Sequence, residues 1–160
     1  MNPRHLVSLA SASLLALAIV GSAAAAPASC VGSGWVAPDP STIEVRVADG
    51  VTFIAFEFFG EHPLCLADGT LVVGAVEGQL WQRIGSDGSV NIRFEETLFY
   101  GDGTLAYRGN ATGNASGWSS HVRTVGTGTG SLAGIHGQGT FSPIDPATGA
   151  FSDEIFYVYR

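Results

Sequence analysis

Between Val125 and Phe141 the chain reads V-G-T-G-T-G-S-L-A-G-I-H-G-Q-G-T-F, six glycines crowded around one apolar plug, Leu132-Ala133-Gly134-Ile135. Glycine costs about 0.5–1 kcal/mol relative to alanine inside regular elements, so a run this dense excludes an ordinary helix and implies tight turns or close chain approach. Leu132 and Ile135 stand at the spacing that brings two side chains to one face of a single helical turn. Gly134 or Gly137 would end that turn in a left-handed conformation. A plain glycine-rich hairpin is the alternative.

Four Asp-Gly pairs punctuate the preceding half: Asp49-Gly50, Asp68-Gly69, Asp87-Gly88 and Asp102-Gly103. Asp-Gly suits type I′ hairpin turns, in which both central residues need positive φ. Ile43, Val45 and Val47 alternate with Glu44 and Arg46, the period of a half-buried strand. Further strands are predicted over residues 51–59, 71–76, 79–84, 89–100, 104–108, 118–125 and 150–159. Residues 51–59 are apolar on both faces, and no segment after the first 25 residues shows an extended helical stripe. About eight short antiparallel strands around one core predict an all-β closed barrel, with room inside for side chains or one small ligand. A two-sheet sandwich shares the local signature. The glycine run favours the barrel, because it lets the chain bend at a barrel corner while Leu132 and Ile135 plug one end.

The stretch G-T-G-S-L-A-G-I-H-G-Q-G-T-F resembles the signature that precedes the last strands in the allene oxide cyclase and dirigent β-barrels and their bacterial relatives. What the resemblance implies is a calycin-like, eight-stranded antiparallel barrel with an interior cavity. The catalytic groups of the cyclising members lie in segments with no counterpart here, so none is carried over. Plant relatives assemble as trimers. This chain shows no readable interface, which leaves its oligomeric state open.

The first 25 residues have the form of a secretory signal peptide: Arg4 and His5 precede an uncharged run from Leu6 to Val20, and Ala23-x-Ala25 offers a cleavage site. The apolar part is shorter than the ~20 residues a bilayer core requires. Residues 26–41 then form an N-terminal segment and 42–160 the barrel, in a secreted or periplasmic protein without a membrane anchor. Cys30 and Cys65 are both in the exported part, where thiols oxidise, and a disulfide between them is expected. Acylation of Cys30 is the competing reading, although Pro27-Ala28-Ser29 lacks the usual aliphatic residue. Beyond the leader, six arginines face fourteen acidic residues, a balance opposed to nucleic-acid binding. The chain has no lysine, which removes Schiff-base chemistry and Walker-type phosphate binding.

Gly128-x-Gly130-x-x-Ala133 formally fits a dinucleotide fingerprint but is followed by more glycine instead of a crossover helix. No G-x-S-x-G elbow occurs. His62, His121 and His136 lack metal-ligand spacing, so neither a metal nor another cofactor is expected. Asn110-Ala-Thr112 and Asn114-Ala-Ser116 are glycosylation sequons only in a eukaryotic host, and the Ala-rich leader looks bacterial. Two acidic residues interrupt apolar strand faces: Glu96 within Val90, Ile92, Phe94, Leu98 and Tyr100, and Glu57 within Val51, Phe53, Ala55 and Phe59. An interior carboxylate must be paired, hydrogen bonded or protonated. Glu96 and Glu57 are therefore either structural partners of Arg83, Arg108 or Arg123, or candidate acid/base or ligand-anchoring groups. Trp81, Tyr100, Tyr107 and Trp118 are the candidate pocket-lining aromatics, with core packing as the alternative. Three functions fit: a barrel binding a small apolar or amphipathic molecule, a cyclase-like or dirigent-like protein guiding a reactive substrate, and a structural domain with a filled core.

Overall fold

The computed structural model describes residues 28–159, so the expected signal peptide, residues 1–25, lies outside the described residues. Nine strands follow one another: β1 (Ala28–Pro38), β2 (Glu44–Ala48), β3 (Val51–Cys65), β4 (Leu71–Ile84), β5 (Val90–Tyr100), β6 (Gly103–Asn114), β7 (Gly117–Thr124), β8 (Ile135–Phe141) and β9 (Ala150–Tyr159). They pair antiparallel in the order β1-β9-β8-β7-β6-β5-β4-β3, and β3 pairs back onto β1. Eight strands thus close a barrel. β2 stands outside this ring, carrying the path of β1 onward along the first half of β3. Closure gives every strand of the ring a paired neighbour on both sides, the usual solution for a sheet of this size.

Within the segment 26–41, Ala28–Pro38 form β1, so among the described residues the barrel includes this strand as well as the chain from residue 42 onward. Its period-two signal is silent because the inward positions between Cys30 and Val36 are Gly32 and Gly34. Residues 71–76 and 79–84 form one strand, β4, which runs through Gly78 without a break. A glycine there has a packing reason, since a Cβ would strike the Phe58 ring and Glu96. Gly109 serves in the same way, its missing side chain leaving space for the Phe94 ring to lie against the wall.

All four Asp-Gly pairs sit at or beside strand connections, but only Asp49-Gly50 has the type I′ signature of two positive φ angles, 51° and 75°. In the next two turns the aspartate stays at negative φ and its carboxylate accepts from the backbone N–H two residues on, Asp68 from Thr70 and Asp87 from Ser89. The glycine alone takes the left-handed conformation there, as in three-residue hairpin loops.

One end of the barrel is sealed. Leu132 ends a short 3-10 turn (Gly130–Leu132) and is fully buried, and Ile135, the first residue of β8, is 3% exposed. Gly134, at φ 80°, turns the chain between them. The Cys30–Cys65 disulfide lies at the same end, joining β1 to the last residue of β3. Above the plug, Leu98, Leu105, Val76 and Ile155 pack as a dry layer. The opposite end, where β5, β7 and β9 begin, is open.

Candidate functional site

A buried polar cluster lies in the lumen, at the boundary between the dry layer and the open half. His62 on β3 donates from Nδ1 to Glu96 Oε1 on β5 at 2.7 Å and from Nε2 to Asp153 Oδ2 on β9. The three residues are 3%, 7% and 5% exposed. Tyr107 of β6 lies against the imidazole with ring centroids 5.0 Å apart, and its hydroxyl shares a 2.7 Å hydrogen bond with that of Tyr157 on β9. Phe151 meets the imidazole edge-on from another side.

Two opposed influences set the charge of His62. Burial is the larger single one and disfavours the imidazolium; the Glu96 charge, the hydrogen bonds to Asp153 and Glu96 and the Asp153 charge together outweigh it and raise the pKa to about 10. Tyr107 is pushed well above the usual phenol range, first by burial and then by Tyr157 and the two carboxylates. At neutral pH His62 is therefore an imidazolium held between the Glu96 and Asp153 carboxyl groups. With both imidazole nitrogens engaged, His62 has no lone pair to offer a metal. Among the described residues no group of His, Cys, Asp and Glu converges on a point where a metal could sit.

This charge state makes folding sensitive to alkali. A histidine whose pKa rises on folding from 6.5 to about 10 contributes stability that is full below about 6.5 and fades as pH climbs through 10. No lysine titrates alongside it, and both cysteines are in the disulfide. The denaturation midpoint of the wild type should fall steadily between pH 7 and 9.5, whereas a His62→Gln variant, weaker throughout, should give a flat profile over that range. Parallel slopes would show that His62 is not the titrating group.

From the open end a cavity of about 1030 Å³ descends to this cluster. Its walls are mainly apolar, with Phe56, Phe58, Leu80, Phe94, Trp118 and Phe141 among them, and His62, Glu96 and Asp153 form the charged floor. The loop 143–149 and the turn 113–117 frame the mouth. Trp118 is fixed by donating from Nε1 to the Phe141 carbonyl at 2.9 Å, and it meets the Phe141 ring edge-on.

Of the residues singled out from sequence, Glu96 faces the lumen and Trp118 lines the cavity. Tyr107 lies beneath the floor, fully buried against His62. Tyr100 is far below, at the sealed end, where its carbonyl accepts from Ser131. Trp81 is on the outer wall, its ring under the Arg93 guanidinium. Glu57 is also exposed on the outside, opposite Gln79. The inward face of β3 is the other one, Phe56, Phe58, Gly60, His62 and Leu64, so Val51, Phe53 and Phe59 look outward. Glu96 pairs with a histidine instead of with Arg83, Arg108 or Arg123, all of which point away from the lumen.

Sequence reasoning missed His62 and Asp153. A signal existed for each: His62 stands in register with Phe58 and Leu64, and Asp153 alternates with Phe151, Ile155 and Tyr157. Applying to β3 and β9 the parity test used for Glu96 finds both.

The chain matches no protein-family profile and no curated protein. It is similar in structure to a protein of unknown function from the DUF3224 family of Shewanella oneidensis, with a TM-score of 0.63 over 84% of this chain and 98% of that one. The two are 16% identical, so what they share is the fold. The expected eight-stranded barrel is therefore met, and no family match links the chain to allene oxide cyclases or dirigent proteins. Among the described residues no helix is long and apolar enough to cross a membrane.

Proposed function

We propose that this is an exported barrel that binds one small apolar or amphipathic molecule in its open half, anchoring it on the Glu96–His62–Asp153 floor. The cavity carries this reading. Ligand sites are concave, mainly apolar and furnished with a few convergent polar groups, and about 1030 Å³ of mainly apolar-walled space ending on three buried charged side chains has that form. The disulfide is compatible with an extracytoplasmic location. A structural domain with a filled core has no need of such a space. Guidance of a reactive substrate draws less support, because an imidazolium retained up to about pH 10 is poorly matched to acid/base work near neutrality.

The neutral fluorophore N-phenyl-1-naphthylamine provides the test. It should brighten on binding the wild type at one molecule per chain and fail to do so with Ile92→Trp, which places an indole in the cavity from β5. Absence of any enhancement, or equal enhancement in the folded Ile92→Trp variant, would refute the interior site.

A further inference from the structure

We infer that the molecule taken by this barrel carries a cationic nitrogen on an apolar body, seated with the nitrogen against the Glu96 and Asp153 carboxylates. This deepens the binding reading above and rests on it. The argument begins with which charges face the lumen. His62 from β3, Glu96 from β5 and Asp153 from β9 form the floor, the Tyr107 and Tyr157 hydroxyls lie below it, and Asp145 stands at the mouth. Arg83, Arg93, Arg108 and Arg123 all occupy outward strand positions, Arg46 is on exposed β2, and the sequence contains no lysine. Among the described residues, then, no guanidinium or ammonium reaches the cavity.

One imidazolium cannot balance two carboxylates. With both carboxylates ionised the floor has one excess negative charge in a site more than nine-tenths shielded from water, and a buried charge without compensation is unfavourable. A ligand ammonium supplies the missing charge and donates hydrogen bonds to oxygens that can only accept them. A ligand carboxylate would instead add a third anion at the floor, and a neutral alcohol would leave the imbalance as it is. The aromatic side chains in the walls suit the remainder of such a ligand, and Phe58 and Phe94 are among the cavity's lining residues, where aromatic rings also attract a cation.

Calorimetric titration at pH 7 with 1-decylamine, 1-decanol and decanoate, each below its micelle concentration, separates the head groups on one shared tail. The amine should bind at least about tenfold more tightly than the alcohol, and decanoate should bind most weakly. Glu96→Gln removes the excess charge while keeping the side-chain shape, and it should bring the amine to within about threefold of the alcohol. Asp153→Asn provides the same readout if Glu96→Gln does not fold. The exposed Glu154→Gln should behave as wild type, and Ile92→Trp should lose amine and alcohol alike. Equal binding of amine and alcohol, or tightest binding of decanoate, would overturn the cationic head group while leaving the interior site standing. Amine binding that survives Ile92→Trp would assign it to the acidic outer surface and overturn the inference. Failure of all three compounds to bind would defeat the interior site together with the inference.

Discussion

Replacing His62 with leucine is expected to destabilise the fold by about 3–5 kcal/mol, the range for removing one member of a buried ion pair. Leucine roughly fills the volume of the imidazole, so lost packing is a minor part of this. The larger part is electrostatic: Glu96 and Asp153, 7% and 5% exposed, would face each other across an apolar lumen with no cation between them. The triple variant His62→Leu/Glu96→Gln/Asp153→Asn distinguishes the two contributions. Removing all the charge together should recover part of the loss, because amides can hydrogen bond without the desolvation penalty of anions. Denaturant midpoints of the two variants measure this directly. If the triple variant proves less stable than His62→Leu alone, stranded charge is not the source of the effect.

The barrel was easier to read from sequence than its site, for physical reasons visible in particular strands. In β5 the inward residues Val90, Ile92, Phe94 and Leu98 alternate with polar Asn91, Arg93 and Glu95, so Glu96 announces itself as an interior carboxylate. β3 offers no such contrast over 51–59, where both faces are apolar because the outward side chains Phe53 and Phe59 cover the outer wall. Its parity is decided only by the later half, through Phe58, His62 and Leu64, and reading the early half alone turns Glu57 inward. The strands β1 and β8 are obscured for a different cause. Their inward positions include Gly32, Gly34, Gly137 and Gly139, which leave no apolar side chain to mark the period. The partners of His62 are separated from it by 34 and 91 residues, and their meeting depends on which strands close the ring. Single-strand patterning gives the facing of a residue, whereas its partner across the lumen is a property of the closed barrel.

The Cys30–Cys65 disulfide is expected to contribute about 4 kcal/mol, the chain-entropy value for a loop of this length. Its place in the barrel gives it a more specific task than general cross-linking. The ladder between β1 and β3 runs from Pro38↔Phe58 to Trp35↔Glu61, and two residues beyond Glu61 the chain reaches Pro63, which has no N–H to offer a further rung. Beyond that point β1 remains paired to β9, from Trp35↔Ala150 to Ala28↔Tyr157, and the disulfide spans its other side. Hydrogen exchange on a Cys30→Ala/Cys65→Ala variant should therefore show opening confined first to β1 and the end of β3, with β4, β5 and β6 still protected. The denaturation midpoint should fall in step with the ~4 kcal/mol loss. A stability change below about 0.5 kcal/mol, the range of neutral surface substitutions, would mean that the seam holds without the bond. Uniform exchange across all strands would show that the disulfide acts on the whole fold and not on the closure of β1 against β3.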